Sequence, residues 1–73
     1  MVKLKVLSGK EVCRILASQG FVKVRRRSSH VVMQKNTPGG STVTVPVPDH
    51  KELRTGTLMS IIRQSELPRS LFE

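Results

Sequence analysis

The chain has 73 residues, enough for one small domain spanning 1–73 that buries only about 60% of its unfolded surface. Its 13 Lys and Arg outnumber five Asp and Glu, a net charge of +8 that makes a polyanion the expected partner. A lone Cys13 excludes an internal disulfide, and with His30 and His50 far apart it lacks zinc-ligand spacing, so neither metal nor cofactor is expected.

The N-terminal residues Val2, Lys3, Leu4, Lys5 and Val6 alternate, which predicts a short edge strand or an arm. Ser8-Gly9-Lys10-Glu11 has capping-box spacing, with the Ser8 hydroxyl reaching the Glu11 amide and the Glu11 carboxylate reaching back. Val12, Ile15 and Leu16 then form one apolar stripe, and Gly20 suits the helix end, so a first helix is predicted over about residues 9–19. From Phe21 the period changes. Val22 and Val24 alternate with Lys23 and Arg25, predicting a half-buried strand with a cationic outer face. Ser28-Ser29 reads as a tight turn, after which Val31 and Met33 alternate with His30, Val32 and Gln34 in a second strand. With Val31 and Met33 in the core, His30 points the other way, onto the same open face as Lys23 and Arg25.

Asn36-Thr37-Pro38-Gly39-Gly40-Ser41 is a turn cluster. Thr42-Val43-Thr44-Val45 follows as a β-branched third strand, which Pro46 and Pro48 are expected to terminate. Asp49 to Thr55 reads as a polar connection with one helical turn around Glu52-Leu53. Thr55 or Thr57 is expected to cap a second helix carrying Leu58, Ile61 and Ile62 on one stripe. Pro68 stops that helix near Leu67, and Leu71 with Phe72 folds back onto the core.

The predicted fold is α+β in the order α-β-β-β-α, a three-stranded antiparallel sheet with two helices on one face. This is the layout of double-stranded-RNA-binding domains, which recognise nucleic acid by shape and backbone. No acid lies between residues 12 and 48, an interval that holds Arg14, Lys23, Arg25, Arg26, Arg27 and Lys35. Consecutive arginines alternate in direction, so Arg25 and Arg27 fall on the His30 side by strand parity. Phe21 and Phe72 are the only aromatics, which argues for backbone contact rather than base stacking. No long apolar run is present, so neither a signal peptide nor a membrane span is expected, and the lone cysteine fits the cytoplasm.

Gly20-Phe21, Arg25, Ser29-His30, Val45-Pro46, His50, Glu52-Leu53 and Gly56-Thr57-Leu58 with Ile61 together resemble the HicA (YcfA-like) family of bacterial toxins, from about Ser8 to Phe72. The resemblance implies a double-stranded-RNA-binding-like fold, mRNA cleavage that arrests translation, and a HicB-type antitoxin that covers the active site. It also implies that the histidine of the family's Gly-Ser-His turn is catalytic, which here is His30. The family's glycine is replaced by Ser28, so this turn either has another shape or carries strain of about 1–2 kcal/mol.

A metal-free ribonuclease uses the RNA 2′-hydroxyl as nucleophile, and it needs a base, an acid and cations. Histidine, with an ordinary pKa of about 6.5, suits the proton steps. Arginine's planar fork suits phosphate, which gives Arg25, Arg26 and Arg27, with Lys23, Ser28 and Ser29, an RNA-binding role. His50 and Lys35 are secondary candidates for the acid–base work, with Lys51 and water as other proton sources; Cys13 has no partner histidine nearby in sequence. The competing readings are a non-catalytic RNA-binding module on the basic sheet face, and an adaptor that docks an acidic protein. A DNA-binding helix is excluded because the second helix carries only Arg63 before its C-terminal end.

Overall fold

The computed structural model describes residues 4–73. Helix α1 covers Gly9–Ser18, strands β1, β2 and β3 cover Val22–Arg27, His30–Asn36 and Thr42–Pro48, and helix α2 covers Thr55–Ser65. A 3-10 turn, Arg69–Phe72, closes the chain. The strands form one antiparallel sheet in the order β1-β2-β3, so the α-β-β-β-α order expected from the sequence holds.

The start of α1 follows from its capping box. Ser8 Oγ accepts from the Glu11 amide at 3.1 Å, and Glu11 Oε1 accepts from the Ser8 amide at 3.0 Å. Helix α2 has no such device. Its N-cap is Arg54, which makes no side-chain cap bond, and Thr55 is already helical, so neither threonine caps it. Packing holds this helix instead, through Leu58 and Ile61.

The core lies between the helices and one sheet face. Val12 and Leu16 of α1, Leu58 and Ile61 of α2, Val31, Met33, Val45 and Val47 of the sheet, and Phe72 are all buried. Burying a side chain of this size contributes about 1.5–3 kcal/mol, which makes this small set the main source of stability. Both helices pack mainly against β3. Strand β1 therefore lies at the sheet edge farther from the helices, and all six of its residues are exposed.

That placement corrects the expectation for β1. Val22 and Val24, predicted to be half-buried, are 59% and 44% exposed. Between Lys23 and Arg25 the pairing with β2 shifts register, leaving Val24 as the extra residue of a bulge. Lys23 stands opposite Met33 and Arg26 opposite Val31, so both sit on the helix side of the sheet. Simple alternation placed Lys23 with His30; the bulge reverses it. Such a bulge and a row of cations also blunt an edge that would otherwise template pairing with another chain.

Strand β3 runs three residues past Val45, through Pro46 and Pro48. As an edge strand it tolerates proline at alternate residues, whose nitrogens face away from β2. Residues 49–54 contain no helical turn; they bend across the start of α1 and bury Leu53. Their hold on the rest is through backbone bonds: Gly9 N–H donates to His50 C=O at 2.9 Å, and Leu53 N–H to Leu7 C=O at 2.8 Å. Gly9 is so close to the Pro48 carbonyl that a β-carbon there would overlap it. Residues 4–8 form no strand, although Lys5 N–H donates to Phe72 C=O at 3.1 Å; Val2 and Lys3 of the predicted arm lie outside the described residues.

Candidate active site

The β1–β2 hairpin sets the site. Arg27 pairs with His30 across a two-residue turn, and Arg25 pairs with Val32. Paired residues of an antiparallel ladder share a face with Cβ atoms about 4.5–5.5 Å apart, so His30 stands directly beside Arg27. On its other side His30 faces Pro48, and Val32 faces Pro46. The result is an open depression of about 360 Å3, lined by Arg25, Arg27, His30, Val32, Thr44 and Pro46. Val32, only 7% exposed, makes its apolar floor. Thr44 Oγ1 accepts from Gln34 Nε2 at 3.2 Å and forms part of the far wall.

Two guanidinium groups and an imidazole thus share one face, and no carboxylate lines it among the described residues. His30 is exposed at the first position of β2, where the ladder to both neighbours fixes its backbone. This arrangement can hold a phosphodiester between two planar cations and put a proton-accepting nitrogen beside it.

The turn that carries His30 is strained at one residue. Ser28 has φ +55°, and only the first of the two loop residues is left-handed, the pattern in which glycine is usual. The turn is nonetheless pinned from outside. Asp49 N–H donates to Ser29 C=O at 2.7 Å, and the Asp49 carboxylate pairs with Arg26 Nη1 at 2.9 Å. Asp49 therefore grips the hairpin at both ends of its tip.

The remaining sequence candidates lie elsewhere. Arg26 and Lys23 line a second depression against α1, together with Gly9, Lys10, Cys13, Arg14, Val31, Val47 and Asp49. Lys35 sits on the helix side of β2, its Nζ 5.9 Å from the centre of the Phe21 ring. His50 lines a separate hollow with Ser8, Lys10, Asp49 and Lys51. Neither Lys35 nor His50 comes together with His30, and Lys51 stays with His50. Burial, with the Asp49 charge adding to it, pushes the Cys13 thiol above its ordinary value, so it stays protonated and poorly nucleophilic at neutral pH. Among the described residues no group of three or more His, Cys, Asp and Glu is placed to hold a metal ion.

Alternation reads Val32 onto the His30 face, but sequence reasoning overlooked Asp49 as the clamp and Thr44 and Pro46 as the walls. The walls were readable, because alternation from Val43 and Val45 sends Thr44 and Pro46 outward. Asp49 was not, since its partners are set by how residues 49–54 cross the hairpin tip.

The family model for the HicA toxin of bacterial toxin–antitoxin systems matches residues 9–67. The chain belongs to the HicA toxin family. Membership carries a toxin role and a cognate antitoxin as partner. The span matched to the HicA model runs from α1 through α2 and includes the whole hairpin with His30. No curated protein matches the chain. Among the described residues, no helix of this HicA-family toxin is long and apolar enough to cross a membrane.

Proposed function

We propose that this HicA-family toxin is a metal-independent endoribonuclease that cleaves mRNA in the cytoplasm, with His30 as its catalytic residue. The observation that carries the reading is the joining of His30, Arg25 and Arg27 in one acid-free depression on the open face. The substrate supplies its own nucleophile. His30 takes the proton from a ribose 2′-hydroxyl, whose oxygen attacks the adjacent phosphorus. Arg25 and Arg27 hold the non-bridging oxygens and offset the charge that grows on the phosphorane. The bond to the 5′-oxygen breaks, and that oxygen takes a proton from water or from the imidazolium just formed. The products are then a 2′,3′-cyclic phosphate and a 5′-hydroxyl.

Ser28 and Ser29 offer hydroxyls at the turn beside this path and orient the backbone rather than react. The shallow, mainly aliphatic floor supports recognition of the RNA backbone with loose base preference. A HicB-type antitoxin covers the same face, for which the open sheet surface and its unopposed arginines supply the docking charge.

The test is incubation of the protein with a long unstructured RNA in EDTA, beside His30→Ala. The parent should cleave and leave 2′,3′-cyclic phosphate ends, whereas His30→Ala should cleave slower by about 100-fold or more and bind RNA as before. If both bind RNA and neither cleaves it, the chain is a non-catalytic RNA-binding module.

A further inference from the structure

The cations of β1 do not all serve the His30 face. The bulge at Val24 and the alternation of the strand turn Lys23 and Arg26 to the other side. There they meet Lys10 and Arg14 of α1 around a second depression of about 310 Å3, whose base includes Val31 and Val47. Four cations line it against one carboxylate, that of Asp49, which is already paired with Arg26. Lys10, Arg14 and Lys23 are all exposed and have no ion-pair partner among the described residues. The protonated Cys13 thiol adds no negative charge to oppose them. Only the width of β1 separates the two depressions, and among the described residues no other element covers that edge.

We propose that an RNA strand lying on the His30 face continues over the β1 edge and sets its neighbouring phosphates in the cleft between α1 and β1, held by Lys10, Arg14 and Lys23. This rests on the reading of the open face as the RNA site. A single strand fits because it is flexible, carries a charge at every residue, and can bend around one edge strand. An acidic patch on a folded protein is stiffer and would meet one side only. The apolar base of the cleft, between cationic walls, also gives a base or ribose somewhere to rest while its phosphate pairs.

The test compares the parent with Lys10→Gln/Arg14→Gln/Lys23→Gln, using 2′-O-methyl oligonucleotides of about four and about twenty nucleotides, which cannot be cleaved. Three phosphate contacts on a single strand contribute about 2 to the slope of log K against log salt, so the triple variant should lose that much of its slope on the long probe. Its affinity for the long probe should fall about tenfold or more at moderate salt, while the short probe and cleavage of a short RNA stay within about twofold. Lys23→Gln alone should show about a third of the slope change, which guards against a folding defect in the triple variant. An unchanged long-probe slope, or equal weakening of both probes, overturns the proposal. If the parent binds the long probe through the cleft but leaves ribo-oligonucleotides intact, the nuclease reading fails and the cleft stands; if it binds neither probe, both fail.

Discussion

The two sides of the β1–β2 hairpin are both cationic and differ in what those cations meet. On the open side, Arg25 and Arg27 flank an imidazole and face no carboxylate. On the helix side, Arg26 and Lys23 join two more cations, but there the nearby groups are a carboxylate and a thiol held in its neutral form. Cation density alone therefore does not mark the reactive side. In the proposed reading, what marks it is an imidazole set among cations that no carboxylate lining the depression neutralises. The helix side has more positive charge and less chemistry, which fits it for holding.

The sharpest way to break this comparison is to remove arginines by side. Arg25→Gln/Arg27→Gln should lower the cleavage rate by about 100-fold or more, because those groups meet charge that develops in the transition state. Arg26→Gln should change it less than about threefold, since its guanidinium faces Asp49 and is half-exposed, where an ion pair contributes under about 1 kcal/mol. Initial rates on a uniformly labelled RNA decide it. Equal losses from the two variants would mean that the sides are not distinct.

Much of this division was legible in the residues. The alternation of Val31 and Met33 with His30 gave the face of the histidine, and strand parity gave Arg25 and Arg27 correctly, because both lie between the bulge and the turn. Lys23 lies before the bulge, and no local signal marks Val24 as an extra residue; the shift is decided by pairing with β2, while the helices pack mainly against β3. Treating proline as a terminator cuts β3 short, because that rule holds for central strands and not for an edge. The ends of α1 were readable because capping is local chemistry, whereas the start of α2 rests on tertiary packing.

A second prediction concerns how α1 is held against the sheet, and so the shape of the cleft more than that of the open face. Gly9→Ala drives a β-carbon into the Pro48 carbonyl, a backbone group that can yield only if the helix shifts. Overpacking of this kind costs about 1–3 kcal/mol, so thermal unfolding should fall by several degrees. Well below the transition, cleavage of a short RNA should stay near the parent rate. A loss of rate matching the loss of stability would tie His30 to α1 and weaken the separation of the two sides.

Smaller and opposite in sign is the effect expected at the turn. Ser28 at φ +55° forfeits about 1–2 kcal/mol, and glycine there would recover most of it against its own entropic penalty of about 0.5–1 kcal/mol. Ser28→Gly should therefore raise the melting temperature by a few degrees. The cleavage rate should move less than about twofold, since His30 is positioned by the ladder and by the Asp49 N–H on Ser29 rather than by the Ser28 torsion.

The smallest effect is a pH dependence that belongs to the fold alone. Bonds from Ser8, the backbone amide first and the hydroxyl second, hold the Glu11 carboxyl below its ordinary value of 4.5. A carboxyl whose folded pKa is depressed binds fewer protons folded than unfolded, so its contribution is whole above that ordinary value and is lost as pH falls through the folded one. Glu11→Gln should accordingly be less stable than the parent at pH 7, with the two melting curves converging as the pH drops below 4.5 and through the lowered folded value. Cleavage at pH 7 should not change, because Glu11 lines neither hairpin depression. Melting followed by circular dichroism across that range separates the outcomes. A gap between the two proteins that stays constant into acid, or no gap at pH 7, would mean that the Glu11 charge contributes nothing to the hold on the start of α1.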